Sequence, residues 1–484
     1  MVHLVTSTID RAGFYLLACC VAFAPVPFGS NSDGFAGMLG LALSAALLGT
    51  LASPPPTDHG RRLCATALAI GALIALWSAI QVLPSSNAAW THAIWRKVDG
   101  LAGDANGTIA VSRYQPLYSL GYVLLPLAAF VSALVYVRDR GRYTSFLHIV
   151  VGVSCILTVL CIGQYLYTPG ALLWTEKQHY LSSFTGSFIN PNTAATYFGL
   201  LFLMALSAGL RQLERIGLLR LLLGRRDATG GDPNRWLYLT AYLAASLVFL
   251  VALMLTQSRA GIVSSMAGAA CLIGAFAYFA VRRKASVWAA MGLSALVLLG
   301  AALLLGLYGE RVMRRLELEG LVDKLRACAF KSTWRAIEDH FWGGTGLGTF
   351  QDVFPHYRTA DCGLEGHWNQ AHNFFLEGLL SVGAVVFTAC LLAAYLPLIA
   401  VYVRGMRERR RLRFVPLMCL SALVTLTLHS LVDFSLQIPA VAVLASAILG
   451  AGAAISVGRS HRESRRSPQW LAPKTLLSGP GKPL

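Results

Sequence analysis

The sequence predicts an all-α integral membrane protein of about twelve transmembrane helices, with one long helical loop outside the membrane. Three observations predict it. Of 484 residues, 56% are hydrophobic and only 13% are charged, far from a soluble average. The apolar residues run in blocks: 285–307 and 378–403 carry no charge over 23 and 26 positions, where roughly 20 helical residues cross the hydrocarbon core. One polar excursion, 308–370, breaks the pattern, holds GGTGLGTF and leads into AHNFFLEG.

Counting the blocks in order gives spans near 12–28, 35–52, 64–83, 116–137, 145–168, 189–209, 236–257, 262–281, 285–307, 374–403, 414–431 and 438–457. They divide the chain into N-terminal helices (1–185), central helices (186–307), the outer loop (308–371), C-terminal helices (372–457) and a basic, Pro-containing tail (458–484) expected to be disordered. With the N-terminus inside, 27 of the 40 Lys and Arg fall on the inner side. Both termini are therefore expected in the cytoplasm, and the long loop in the periplasm of a bacterial inner membrane. The first block lacks a small-residue cleavage site and reads as a retained signal anchor.

The net charge of +17 follows from this topology. Clusters such as Arg225 and Arg226, or Arg407 and Arg409 to Arg411, hold loops against anionic headgroups, which argues for the bilayer as partner and against nucleic acid. Eight of ten cysteines lie in or beside spans, where a thiol behaves as a small apolar group. Cys328 and Cys362 instead lie in the outer loop, where an oxidising compartment permits a disulfide.

Two outer segments carry helical stripes. Trp90, Ile94, Val98 and Leu101 predict a short helix lying on the outer membrane surface, with Arg96 and Lys97 off the stripe. Phe330, Trp334, Ile337 and Phe341 predict a second helix that stops at Gly343 and Gly344, making the loop a folded cap. The glycines at 343, 344, 346 and 348 lack the GK[ST] of a phosphate loop. They fit a tight turn, or a backbone shaped for close approach by a large substrate.

The reactive candidates cluster at the outer face. His372 stands where the loop re-enters the membrane, followed by Asn373 and Glu377. A neutral imidazole there can accept a proton near pH 7, as activating a sugar hydroxyl requires; the plainer alternative is a helix-entry histidine bonded to a carbonyl. Arg259, in TQSRAG, sits between two apolar spans, where an arginine pairs or serves a ligand. Its donors fit a diphosphate, and Glu377 or Asp433 is the alternative partner. His429 and Asp433, four apart, share a helix face and suit an orienting role, a proton relay, half a metal site or a pair with Arg259. No DxD metal signature occurs. Asn190 and Asn192, flanking Pro191, either cap a helix start or contact sugars.

GSFINPNTAA (186–195), TQSRAG (256–261), GTGLGTF (344–350) with Tyr357 and Arg358, AHNFFLEG (371–378) and HSLVDFSLQIP (429–439) together resemble the bacterial O-antigen ligase and polymerase superfamily. The resemblance spans about 186–440, and the five motifs stand in the family's order. It implies a fold like that of C-type glycosyltransferases, and transfer of a glycan from undecaprenyl diphosphate to an acceptor hydroxyl, with neither cofactor nor metal. The acceptor would be lipid A core, another surface group or a growing glycan. His372, in HN followed by nine residues and Gly383, matches the family histidine; Arg259 matches the family arginine. Arg358 and Asn373 become candidate substrate contacts.

One position departs from the family. Relatives often carry an arginine four residues before the tryptophan ahead of the glycine turn, and here that position is Phe330. Lys331, Arg326 and Arg335 are the nearby bases that can replace it. Competing expectations are a polymerase extending its own lipid-linked repeat, a protein O-oligosaccharyltransferase, and a non-enzymatic polysaccharide or lipid transporter. A transporter would place its polar groups near the midplane rather than under an outer cap.

Overall fold

The computed structural model describes residues 2–53, 57–85, 87, 90–98, 106–181, 183–216, 234–280, 324–363, 367–409 and 412–458. The expected span at 285–307, the start of the polar excursion, Leu101, Arg225, Arg226, Arg410, Arg411 and the tail from 459 lie outside them.

Helices dominate. In chain order they are α1 (Val2–Phe23), α2 (Asp33–Gly49), α3 (Asp58–Val82), α4 (Ala93–Val98), α5 (Gln115–Tyr118), α6 (Leu120–Tyr136), α7 (Arg140–Tyr167) and α8 (Pro191–Ile216). After them come α9 (Asn234–Leu255), α10 (Arg259–Ala280), α11 (Lys324–Asp339), α12 (Phe350–Tyr357), α13 (Phe374–Val382), α14 (Ala384–Glu408), α15 (Phe414–Ser430) and α16 (Pro439–Val457). One antiparallel hairpin, β1 (Ala171–Leu172) with β2 (Thr175–Glu176), is the only sheet among the described residues. Nine helices there are long and apolar enough to cross a membrane. α15, at 17 residues, is shorter.

α8 and α16 are buried along almost their whole length. α8 packs against α9, α10 and α15, while α16 packs against α6, α14 and α15. Small residues allow these approaches: a Cβ on Gly450 of α16 would strike the Phe130 carbonyl of α6. Without water to drive helices together, such close backbone packing is a main source of cohesion in a bilayer.

The expected single span at 374–403 is two helices. Gly383, at φ 79°, ends α13 and starts α14, and a side chain there would strike the Trp342 carbonyl. The glycine turn docks into this break. Thr345 N–H donates to Leu380 O at 2.8 Å, Gly346 N–H to Ser381 O at 3.0 Å, and Ala384 N–H to Phe341 O at 2.8 Å. Gln81 of α3 donates to both Gly343 O and Ser381 O at 2.8 Å. Gly344, at φ 68°, would carry a Cβ only 2.5 Å from Ser381 O. The close approach that the glycines permit is thus to the chain's own backbone.

α11, α12 and α13 surround a small core of their own, including Ala329, Ile337, Phe350, Phe354 and Leu380, so the excursion is a folded cap over its described part. A disulfide joins Cys328 to Cys362 within it. The aromatic stripe of α11 is corrected: Ile337 is buried, but Trp334 and Phe341 are exposed, and Ala329, Thr333 and Ala336 form the inner face. Small residues bring α11 close to α13, leaving the large rings to face outward. α4 is likewise shorter than its stripe; Trp90 and Ile94 point out, and Trp95 turns inward to donate to Ala110 O at 2.9 Å.

Candidate active site at one end of the bundle

α13 begins where it does because Asn373 caps it, its Oδ1 accepting from Phe375 N at 3.0 Å and Leu376 N at 3.1 Å. Its Nδ2 donates to Leu431 O at 2.7 Å, tying the cap to the end of α15. One residue earlier, His372 sits at φ 52°, in the left-handed region where a residue with a side chain costs about 1–3 kcal/mol unless its surroundings hold it. They do. Glu377, in the first turn of α13, reaches back to accept the Ala371 N–H at 2.8 Å. Burial pushes the Glu377 carboxyl up to about 7, against the pull of the Ala371 N–H and the Gln437 side chain. The His372 ring lies edge-on to Trp368 and Phe434, with centroids 5.6 and 4.9 Å away.

The turn after α15 gathers the remaining groups. Leu431 O takes Asn373, Val432 O takes Arg326 Nη1 at 3.1 Å, and Phe434 packs on His372. Arg326 therefore reaches from α11 onto the turn that also seats the HN motif. Tyr180 lies close enough for Arg326 to pull its phenol down and Asp433 to push it up, although burial dominates and raises it. Asp433 is 1% exposed and accepts from both the N–H and the hydroxyl of Ser435. Its Oδ1 and His429 Nε2 have no hydrogen-bond partner among the described residues. The other ring nitrogen of His429 pairs with the Thr196 hydroxyl on α8.

α8 links this turn to Arg259. Asn190 Oδ1 accepts the Asn192 N–H at 2.8 Å, capping the Pro191-led helix start. Ser258 Oγ, directly before Arg259, donates to Asn192 Oδ1 at 2.7 Å. Arg259 opens α10, half-buried, after Gln257 at φ 56°.

The fold thus connects Arg259, Asn190, Asn192, His429, Asp433, Arg326, Asn373 and His372 through contiguous contacts. Lys331 and Arg335 are exposed on α11, well round the helix from Arg326, and Arg358 is half-buried where α12 ends. The Asn373 amide is spent on capping and on Leu431, and Asn190 on its cap, so both order the backbone. The alternative pairing of Glu377 with Arg259 gives way to the Ala371 N–H and Gln437 as the observed partners of Glu377. Among the described residues, no three His, Cys, Asp or Glu side chains gather as a metal-ligand set.

Thr196, Ser258, Trp368 and Phe434 escaped the sequence reading, and the partners of Glu377 emerge only from the fold. Most of them lie in or beside the motifs, but spacing does not show which side chain turns toward which.

Residues 244–391 match the family model described as O-antigen ligase. The match supports the O-antigen ligase and polymerase superfamily over this stretch of the chain. The O-antigen ligase match holds Arg259, the cap with Arg326, and His372, and it ends just inside α14. Members of the family are glycosyltransferase-like enzymes. No curated protein was found to match the chain.

Proposed function

We propose that the protein transfers a glycan from undecaprenyl diphosphate to an acceptor hydroxyl, lipid A core or another surface acceptor, at the periplasmic face of the bacterial inner membrane. The observation that carries this reading is that Arg326 and the HN motif are seated on the same 431–434 turn. A candidate base and a candidate phosphate clamp thereby come to one place.

A sugar on a diphosphate is already activated, so the protein must hold the diphosphate, exclude water and deprotonate one hydroxyl. His372 takes the proton from the acceptor hydroxyl as its oxygen bonds to the anomeric carbon. The bond from that carbon to the diphosphate oxygen breaks, and undecaprenyl diphosphate leaves with the electron pair. Arg259 and Arg326 neutralise the charge growing on it, each good contact contributing about 3 kcal/mol in a pre-set, dry site. Attack opposite the leaving group inverts the anomeric configuration. Asn373, Glu377 and Ser258 act as positioning residues, and both termini are cytoplasmic in this reading.

A polymerase that extends its lipid-linked repeat shares donor, base and clamp. The 429–439 segment, which resembles exopolysaccharide-associated members as much as ligases, forms part of the site and keeps that second reading. Purified protein given a defined undecaprenyl-diphosphate glycan and either lipid A core or a second lipid-linked repeat tests both. A transferred product on either acceptor is expected, and turnover of neither would refute the proposal.

A further inference from the structure

The end of α8 remote from His372 opens into a polar cavity of about 420 Å³ between α7, α8, α9 and α15. Arg211 lies about 30 Å along α8 from Pro191, so this cavity belongs to the opposite membrane face. Four arginines line it: Arg140, Arg211, Arg215 and Arg235, with no Asp or Glu among the described lining residues. Arg211 is only 8% exposed, and its Nε and Nη2 have no hydrogen-bond partner among the described residues. Beside it, Gln212 Oε1 is also without a partner.

Among the described residues, the carboxylates of the surrounding helices make their closest contacts with other groups, Asp139 capping α7 by accepting the Arg142 N–H at 3.0 Å. Asp10 is held by Arg138 at 2.9 Å and Arg142 at 2.7 Å, and Glu214 by Arg413 at 2.6 Å. Glu214 is the one described carboxylate acting on Arg211 and Arg215, and it is shared with Arg413, so positive charge is in excess around a buried guanidinium with unmet donors, an arrangement that an anion in the cavity completes. Several guanidinium forks converging on one space suit a group with several acceptor oxygens better than a single carboxylate. Basic cavities between helices on the cytoplasmic side are characteristic sites for phosphate-bearing headgroups.

We propose that this cavity binds a phosphate group, with Arg211 as its buried contact and Arg140, Arg215 and Arg235 around the rim. The phosphate arrives either on an anionic phospholipid from the bilayer or as a soluble ion from the adjoining aqueous phase. The inference is independent of the transfer reaction at the other face.

The test uses full-length, delipidated protein in detergent, wild type and Arg211→Gln. Native mass spectrometry compares retention of dioleoylphosphatidylglycerol with dioleoylphosphatidylcholine, and thermal unfolding compares inorganic phosphate with chloride at equal ionic strength. Preferential phosphatidylglycerol binding, weakened about ten- to a hundredfold in Arg211→Gln, supports the site with a lipid source. Stabilisation by inorganic phosphate that Arg211→Gln loses, without a lipid preference, supports it with a soluble source. Equal behaviour of wild type and variant toward both ligands overturns it. Should Arg211→Gln fail to fold, the Arg140→Gln/Arg215→Gln double variant, at the rim, carries the same measurements, and binding equal to wild type again overturns the proposal.

Discussion

Glu377 accepts the backbone N–H of Ala371 at 2.8 Å, holding the chain one residue before His372 enters the left-handed region. α13 belongs to the cap, ahead of the span that starts at Ala384, so this carboxyl lies in a protein core rather than within a spanning segment.

The pH dependence of the cap follows from that burial. Glu377 ionises at about 7 when folded, above its ordinary value of 4.5, so the native state retains a proton that the unfolded chain releases. Its contribution is therefore full below the unfolded value, declines as pH rises, and levels off above about 7, a total of roughly 3 kcal/mol. Glu377→Gln keeps an acceptor for Ala371 but cannot ionise. Its melting temperature should fall less than that of wild type between pH 5 and 7.5 in detergent; parallel curves would count against the buried carboxyl.

His372→Ala should lower transfer by two to four decades with normal protein level and an unchanged melting profile, the usual worth of a positioned general base. Transfer near the wild-type rate would remove His372 from the mechanism.

Arg326, Lys331 and Arg335 separate by geometry. Arg326→Gln should lose about a hundred- to a thousandfold in transfer, as a charge-stabilising donor does, whereas Lys331→Gln and Arg335→Gln on the exposed side of α11 should stay within a fewfold of wild type. The reverse ranking would move the second phosphate contact elsewhere on the cap.

Arg259→Lys should not restore activity to the level of wild type, because a point charge lacks the paired donors that grip a diphosphate. Rates of purified Arg259→Lys and Arg259→Gln with the same donor decide this, and full rescue by lysine would reduce the role to charge alone.

The Cys328 to Cys362 disulfide closes a loop of 34 residues in sequence separation. In the chain-entropy description such a closure stabilises by about 3–4 kcal/mol. The Cys328→Ser/Cys362→Ser double variant should therefore unfold at lower temperature, while in wild type thiol alkylation at these positions should appear only after reduction.

Much of this protein was legible in its sequence, because the bilayer imposes strong local rules. Charge-free blocks of helical length predict spans, and a polar excursion with its own stripe predicts a folded cap. His372 and Arg259 stood out for a related reason, since polar groups at a membrane boundary are costly without a purpose. Hydropathy could not show the break at Gly383, because the residues on both sides are apolar and only the docked glycine turn interrupts the helix. Nor could periodicity choose the inner face of α11, where small residues won over large rings because they let the backbone approach α13.

What the sequence alone determined was the all-helical membrane class, the cap and the chemical types gathered at one face, since each depends on composition over a single turn or span. Tertiary structure decided the partners: Arg326 rather than Lys331 or Arg335 on the 431–434 turn, Ala371 rather than Arg259 for Glu377, and a buried Arg211 at the far end of α8 whose Nε and Nη2 find no hydrogen-bond partner among the described residues. Those choices depend on which distant helices meet. A few ångströms at such meetings separate a buried, strong contact from an exposed, weak one.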